Sequence, residues 1–460
     1  MEVQTRSDRS CKRKRDDHRI SKPMATSTYN TSSPSDSLQI MIDYDIVTVK
    51  QWLNGWSRNT TVNGDLKKDR LPLVDLRTYE EFNKRHLHST DEDISPIVNL
   101  PLDTLLSGER SCELPPRHVD FAILVPNNYA EQFSSCNSQC RIHSLFFASK
   151  SSATQQSRKP WLVRQVILEN EHVWDDEIIS QHIERNTNVN DESKSNAISF
   201  RPLPRLWKPD PLVSSELLPL LKMWINKNCF EPIVEGSHHH MPCTVFDLGS
   251  GAGRDVCYLA EETKAFYSNS TSKVEHKESQ YNRFPLHFVG VDNHKGSARR
   301  CGPLWRNRGI DDVTTSHLLN LNRLDLVKKC FTNTMYTDPT SKNAESRPAI
   351  VCIYAIRFLN RKLFSLIASS TSSTDKLEQE TSTLNLPEGT IVGISHFCKP
   401  SKNAEWNFDH PKECNVLDRE EMRDLFGKSN ENKWRILKDD IIMDGDHGRT
   451  LLQFIAKKIS

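Results

Sequence analysis

The segment 244–256 brings three glycines together with the acid Asp247, and this combination predicts a binding site for a nucleotide-like ligand. The glycines are Gly249, Gly251 and Gly253. They follow a mainly apolar stretch at 245–248 that is typical of a buried strand, and a helix is predicted to begin near Arg254. Glycines let the backbone approach a ligand closely, while the N–H groups and dipole of a helix N-terminus favour negative charge. The alternative is a tight strand-to-helix turn that binds nothing.

Asp247 narrows the choice of ligand. It lies two residues before the first glycine, where its carboxylate suits a positively charged group better than a pyrophosphate. The spacing is G-x-G-x-G, and Arg254 stands where the dinucleotide fingerprint has its last glycine. The run closely resembles the first motif of class I S-adenosylmethionine-dependent methyltransferases. That resemblance implies that Ser250 and the glycines around it lie against the amino-acid part of this cofactor.

A second acid, Asp292, ends the strand predicted at 286–291. The carboxyl ends of parallel strands border one crevice, and a carboxylate there can accept two hydroxyl groups of a ribose. The resemblance implies this role for Asp292, with Asn293 beside it. The separation between Asp247 and Asp292 is longer than usual. The polar stretch 266–283 is interpreted as a surface insertion that accounts for the excess.

The strands that follow predict the rest of the site. Asn320 comes after a third strand at 313–319 and is a candidate for contact with the adenine, an ordinary loop asparagine being the alternative. The fourth strand, 349–355, carries Tyr354 as a candidate for cofactor contact and for catalysis. In the family this strand's end faces the transferred methyl group. Arg357 is therefore placed either to bind an anionic substrate or to pair with an acid at the helix start.

His396 is predicted to open the loop after a fifth strand at 390–395 and, like His410, is a candidate general base. A solvated loop histidine is the alternative for each. The sequence Asn-Pro-Pro-Tyr, which the family uses for exocyclic amines, does not follow the fourth strand. The three histidines at 238–240 are interpreted as a solvated loop, so no metal site is predicted.

Residues 40–170 resemble a rhodanese-like domain. The matching runs are 74–77, 80–82, 86–87 and 99–101, which read V-D-L-R, E-E-F, H-L and N-L-P. In that family a cysteine follows the third strand and opens a loop of backbone N–H groups. Here the strand 121–125 continues into Pro126 and Asn127, and Cys136 comes about ten residues too late. We therefore expect an inactive domain that docks onto or stabilises the second one, with a reactive thiolate at Cys136 as the alternative.

Composition predicts a reduced, intracellular protein with several parts. The chain has 460 residues, enough for two or three domains, and its 61 basic residues nearly balance 60 acidic ones. Its 12 cysteines form no C-x-x-C pair, and no apolar run is long enough for a membrane span. Residues 1–38 are predicted to be disordered, with a basic cluster at 12–15 that is a candidate nuclear localisation signal. We expect a cytoplasmic or nuclear protein.

Together these patterns predict an α/β protein. A rhodanese-like domain is followed by a linker at 171–204 and, at 205–460, by a doubly wound, Rossmann-like methyltransferase domain with an antiparallel last strand. The expected cofactor is S-adenosylmethionine, and the expected acceptor is a small molecule or a thiol-like group. A cofactor-binding adaptor without turnover is one alternative. An RNA or protein methyltransferase is another, although the sequence shows no extended basic face for nucleic acid. No oligomeric state is predicted.

Overall fold

The computed structural model describes residues 44–53, 71–87, 96–134, 141–147, 160–169, 183–184, 200, 202–230, 243–271, 284–334, 350–370, 384–401, 403–430, 432–444 and 448–459. The predicted tail at 1–38 with its basic cluster, Cys136 and the three histidines at 238–240 lie outside the described residues. None of the helices within these stretches combines the length and the apolar character that crossing a membrane requires.

The described residues of the first half form a parallel five-stranded sheet. The strands of this half are β1 (Asp45–Val47), β2 (Leu73–Asp75), β3 (His86–Leu87), β4 (Ile97–Asn99), β5 (Phe121–Val125) and β6 (Val163–Leu168). All but β3 join the sheet, in the order β1-β6-β5-β2-β4. Every residue of the central strand β5 is buried, as expected for an apolar strand inside a parallel sheet. The strand predicted at 121–125 is confirmed, and the assignment of this half to a rhodanese-like domain stays a prediction.

Short helices accompany this sheet. They are α1 (Val49–Leu53), α2 (Tyr79–Lys84), α3 (Leu102–Leu106), α4 (Asn127–Ser134) and α5 (Arg141–Phe146). A further strand, β7 (Ile183–Glu184), pairs antiparallel with β3. Strand β7 lies within the segment 171–204, and its backbone pairs with the first half of the chain; the assignment of this segment as a linker stays a prediction.

The second half contains a seven-stranded sheet. Its strands are β8 (Cys243–Leu248), β9 (Leu286–Asp292), β10 (Thr314–Leu318), β11 (Ile350–Ile356), β12 (Ile391–Phe397), β13 (Trp434–Asp444) and β14 (Arg449–Lys458). They lie in the order β10-β9-β8-β11-β12-β14-β13, and β14 runs antiparallel to both of its neighbours. The doubly wound sheet with an antiparallel last strand is thus confirmed. The strand order reverses between β8 and β11, which is where such a sheet opens a ligand crevice.

Helices pack on both faces of this second sheet. They are α6 (Leu218–Ile225), α7 (Arg254–Thr271), α8 (Lys295–Asn307), α9 (Leu324–Thr334), α10 (Arg361–Ala368) and α11 (Glu421–Arg423). Wider π-helical turns extend α6 at both ends. One apolar core lies beneath α6, α7 and α8 and contains Val245 and Cys352; the other lies beneath α9, α10 and α11 and contains Phe246 and Ile353. Successive residues of β8 and β11 thus face opposite layers, as the pleat of a strand requires.

Two element boundaries differ from the predictions. Helix α7 continues to Thr271, so its last turns replace the start of the surface insertion predicted at 266–283. Phe266 packs against the core, which explains why the helix continues. The sequence also predicts a helix at 417–426, but the helix begins only at Glu421, and Leu417 is buried and bridges to the residue after β12.

Candidate active site

The glycine loop lies at the carboxyl end of β8, beside the point at which the strand order reverses. The N–H groups of Gly249 and Ser250 donate to the carbonyl of Val291 at 2.8 and 3.1 Å, which ties the loop to the end of β9. The N–H of Gly253 donates to the carbonyl of Ser250 at 2.9 Å, and α7 begins at the next residue. The predicted arrangement of strand, loop and helix is confirmed.

Glycine is needed at positions 249 and 251 for different reasons. Gly249 has φ +80°, and a Cβ there would lie 2.7 Å from the Cβ of Phe358, which covers the loop from the end of β11. Gly251 has φ +56°, and a Cβ there would meet nothing within 4 Å. Gly249 is therefore required by packing, whereas Gly251 borders open space through which a ligand can approach the backbone.

Helix α8 supports the loop through contacts that sequence reasoning missed. The indole Nε1 of Trp305 donates to the carbonyl of Gly253 at 3.1 Å, and the thiol of Cys301 lies 3.5 Å from the carbonyl oxygen of Gly251. Both side chains are buried. Cys301 and Trp305 are four residues apart and so share one helix face, which is the signal that could have indicated the contact.

Asp292 joins the glycine loop to the end of β9. One of its carboxylate oxygens accepts the N–H of Gly251 at 2.8 Å, and the other accepts the N–H of His294 at 2.6 Å. Asp292 is buried, whereas the neighbouring Asn293 is exposed. The acid therefore lies at the predicted edge and also fixes the loop, a structural role that the sequence did not predict. Each oxygen retains a lone pair for a further donor such as a hydroxyl group.

Three carboxyl groups converge near the glycine loop. Burial raises the pKa of Asp247 well above its usual value, and the nearby carboxyls of Asp255 and Asp292 add to that shift. Burial also raises the pKa of Asp255 to about 6, although the N–H of Asp210 donates to its carboxylate at 3.0 Å. Asp255, in the first turn of α7, was missed by sequence reasoning. A buried carboxyl such as Asp247, whose pKa neighbouring carboxyls raise further, favours a ligand that brings positive charge.

Tyr354 lies beside Asp247 across the pairing of β8 with β11. It is 1% exposed, so its side chain belongs to the interior of the domain. The hydroxyl is close enough to lower the pKa of Asp247, yet it makes no hydrogen bond of good geometry to any described residue. The roles predicted for Tyr354 in cofactor contact and in catalysis stay predictions.

Asp255 gives the fold a pH dependence with a definite sign. Its raised pKa means that the folded chain binds more protons than the unfolded chain between about pH 4 and 6. The free energy of unfolding should therefore fall as the pH rises through this window. Asp255→Asn removes this titration and keeps an oxygen for the N–H of Asp210, so the variant should gain on the order of 2 kcal/mol over the wild type between pH 4 and 8. Urea unfolding at a series of pH values measures the difference, and a difference independent of pH would contradict the expectation.

Arg357 follows β11 with φ +54°, a left-handed conformation that costs a residue other than glycine about 1–3 kcal/mol. Its N–H donates to the carbonyl of Ser395 at 2.6 Å, which holds this conformation against β12. The exposed guanidinium lies near enough to Asp255 for its charge to lower the pKa of that carboxyl. Asp255 is an acid at a helix start, but both roles predicted for Arg357, binding an anionic substrate and pairing with an acid, stay predictions. The arginine thus lies at the edge that β11 and β12 share with the start of α7.

His396 lies within β12 and not in the loop predicted for it. The ring is 4% exposed, and its Nε2 is 2.8 Å from the carbonyl oxygen of Asn415, so Nε2 carries the proton. Its Nδ1 has no hydrogen-bond partner in the described part of the chain. Burial lowers the pKa of His396, so the imidazole is neutral at pH 7. The other two candidates, Asn320 and His410, are exposed.

Across the described stretches, no three His, Cys, Asp or Glu residues are grouped in a way that would hold a metal ion.

Comparisons with known proteins find distant structural neighbours. No protein-family model matches the chain, and no curated protein matches it. The N-terminal domain of EvdMO1 with SAH bound is 11% identical, with 58% of this chain and 92% of that chain covered and a TM-score of 0.31. The cyclase SpnF is 12% identical, with 52% and 80% covered and a TM-score of 0.28. Geranyl diphosphate C-methyltransferase from Streptomyces coelicolor is 13% identical, with 49% and 73% covered and a TM-score of 0.27.

Proposed function

We propose that the chain is an S-adenosylmethionine-dependent methyltransferase whose acceptor is a small molecule or a thiol-like group. The observation that carries this proposal is the convergence of Asp247, Asp255 and Asp292 on a glycine loop at a strand end. A glycine loop alone favours a phosphate, but three carboxyl groups would repel one. A ligand with a sulfonium, an ammonium and ribose hydroxyl groups suits both the acids and the open space at Gly251.

The residues around the loop have separate tasks in this proposal. Asp247, whose pKa is raised by burial, ionises more readily beside the positive charge of the cofactor. Asp292 offers its remaining lone pairs to the ribose, with Asn293 at its side. Asn320, exposed just beyond β10 in the same sheet, is the proposed contact for the adenine.

The cofactor supplies a methyl group that is already activated, so the protein has to align the acceptor and exclude water. Phe358 covers the glycine loop, and Arg357 directly before it holds a positive charge at the same edge. We propose that Arg357 binds an anionic group of the acceptor. We propose that Nδ1 of His396 accepts the proton when the acceptor has one to lose, because Nε2 already donates to the carbonyl of Asn415. An acceptor that is ionised in solution needs no such base.

The rhodanese-like domain is proposed to be non-catalytic. Helix α4 begins at Asn127, where the resemblance places an anion-binding loop, and the N–H of Asn127 donates to Oε2 of Glu169 at 3.3 Å. Oε1 of Glu169 lies 3.3 Å from the buried guanidinium of Arg77. An internal carboxylate therefore occupies a position that suits an anionic substrate. The alternative thiolate, Cys136, lies outside the described residues.

The proposed role of the first domain is to brace the second one through Arg254, the residue that follows the glycine loop. Nε of Arg254 donates to the carbonyl of Cys112 at 2.7 Å, and Nη2 donates to the carbonyl of Leu114 at 2.9 Å. Both carbonyls belong to the connection between α3 and β5. Leu206, which precedes α6, is buried in the apolar core of the first domain. The first turn of α7, which carries Asp255, is thus anchored to the other domain.

Arg254→Gln should weaken cofactor binding about five- to tenfold and leave the chain folded. Two carbonyl groups lose a charged donor, and the first turn of α7 then shifts more easily relative to the glycine loop. Calorimetric titration with S-adenosylmethionine measures the dissociation constant. Arg164→Gln, which removes an exposed ion pair with Asp120, is the control and should leave that constant unchanged. Equal affinities in the two variants would contradict the bracing role.

The methyltransferase proposal is tested in two steps. Titration of the full chain with S-adenosylmethionine has to show binding, and its absence would refute both the enzyme and the adaptor without turnover. Mass spectrometry of a cell extract incubated with isotope-labelled cofactor then identifies the acceptor. Labelled small molecules would support the proposal, labelled RNA or protein would establish a macromolecular acceptor instead, and binding without transfer would favour the adaptor.

A further inference from the structure

Two arginines and three aromatic side chains lie together at the carboxyl end of β12. They are Arg357, Phe397, Trp406, Phe408 and Arg449. Phe397 is the last residue of β12 and Arg449 is the first of β14, and the antiparallel pairing of these strands brings both to the sheet edge that carries the glycine loop. Apart from Arg357, none of these residues is assigned to cofactor or acceptor binding in the proposed methyltransferase.

Both guanidinium groups lie against the same aromatic ring. Cζ of Arg449 is 4.6 Å from the centroid of Phe397, and Cζ of Arg357 is 5.7 Å from it. Both positive charges therefore lie near one ring, and this part of the sheet edge favours a ligand that carries negative charge. Arg357 reaches its place through a strained backbone conformation, and strain of this kind is concentrated at functional sites.

The aromatic side chains form a fixed surface next to these charges. Trp406 lies edge-on to Phe397 with the ring centroids 6.1 Å apart, and the ring of Phe408 is 4.9 Å from that of Trp406. The indole Nε1 of Trp406 donates to the carbonyl of Pro411 at 2.7 Å, which holds the loop in place. Phe408 is 38% exposed and so presents apolar surface to solvent. A flat, apolar molecule would cover this surface and remove it from water.

We propose that the acceptor is a small aromatic acid, with its carboxylate anchored by Arg357 and Arg449 and its apolar body against Trp406 and Phe408. Planar guanidinium groups bind a carboxylate through paired N–H donors, and aromatic side chains pack well against an aromatic body. This inference rests on the proposed methyltransferase function and names its acceptor class. Because Arg357 directly precedes Phe358, which covers the glycine loop, an acid bound here lies next to the proposed cofactor site.

Calorimetric titration of the full chain with 2-naphthoate and with 2-naphthamide tests the requirement for a negative charge. We expect the acid to bind at least about tenfold more tightly than the amide, because only the acid accepts charge-assisted hydrogen bonds. Arg449→Gln should remove most of this preference, and Arg449→Lys, which keeps the charge but loses the planar fork, should retain part of it. Arg435→Gln, an exposed site at the far end of the same hairpin, is the matched control and should keep the full preference.

Equal binding of acid and amide, or an undiminished preference in Arg449→Gln, would overturn the acceptor class. Trp406→Ala should weaken the binding of the acid and of the amide alike. A loss of affinity for the acid alone would contradict the proposed packing of the apolar body against Trp406. Parallel titration with S-adenosylmethionine separates the two proposals. Binding of the cofactor without the acid overturns the acceptor class alone. If the chain binds the acid through Arg449 but does not bind the cofactor, the methyltransferase proposal is refuted. The site would then be an acid-binding site without methyl transfer.

Discussion

Replacing Arg308 with methionine should lower the free energy of unfolding by about 3–5 kcal/mol. Arg308 is 3% exposed at the end of α8, and its Nε lies 2.7 Å from Oε1 of Glu261, which is fully buried. The same guanidinium donates to the carbonyls of Leu203 and Pro204 and lies 3.8 Å from Glu113, which belongs to the first half of the chain. Methionine fills much of the volume but leaves the buried carboxylate and both carbonyls without this donor.

Urea unfolding followed by tryptophan fluorescence measures this loss of stability. Arg323→Met is the matched control, since it removes an exposed ion pair with Asp325 in the same half of the chain and should leave the midpoint unchanged. Arg308→Lys should recover only part of the loss, because an ammonium group cannot reproduce the directed donors of a guanidinium. If Arg308→Met unfolded at the same urea concentration as Arg323→Met, this buried network would not stabilise the fold.

The alternation of apolar strands and helices was sufficient to predict the second sheet, including its antiparallel last strand. Strands such as β8 and β11 are buried on both faces and therefore appear in the sequence as nearly continuous apolar runs. The end of α7 was harder to predict, because its last residues are polar in composition and stay helical through the packing of Phe266 and Tyr267. Strand β7 gave no such signal, since its pairing depends on β3, which is distant in the sequence.

Much of the candidate site could be predicted because its residues follow strand ends, and strand ends meet at one edge of a sheet. The sequence could not indicate which side chains from other elements would join them. Asp255 has the character of an ordinary acid in the first turn of a helix. Its pKa of about 6 arises from burial, which depends on how the chain around Asp210 lies against it. Arg254 likewise has the character of a surface charge in the sequence, because its carbonyl partners come from the distant connection between α3 and β5.

Gly251→Val should weaken binding of S-adenosylmethionine at least about a hundredfold while the chain remains folded. A Cβ at Gly251 would meet nothing within 4 Å, so the branched side chain extends into the space from which a ligand reaches the loop backbone. The φ of +56° also disfavours a β-branched residue, and a shift of this backbone would disturb the hydrogen bond from its N–H to Asp292. Both effects act on the glycine loop, and neither removes a side chain from the core.

Gly389→Val separates backbone strain from obstruction of the ligand. Gly389 has φ +87°, and a Cβ there would likewise meet nothing within 4 Å, but it precedes β12 at the opposite end of the sheet. The two variants therefore carry comparable strain, and thermal unfolding should show similar losses of stability. Only Gly251→Val should lose cofactor affinity in a calorimetric titration, and Gly251→Ala should lose less because it lacks the branch. If Gly251→Val bound as tightly as Gly389→Val, the open space before the glycine loop would not be where the cofactor lies, and the site would have to be sought elsewhere along the same edge.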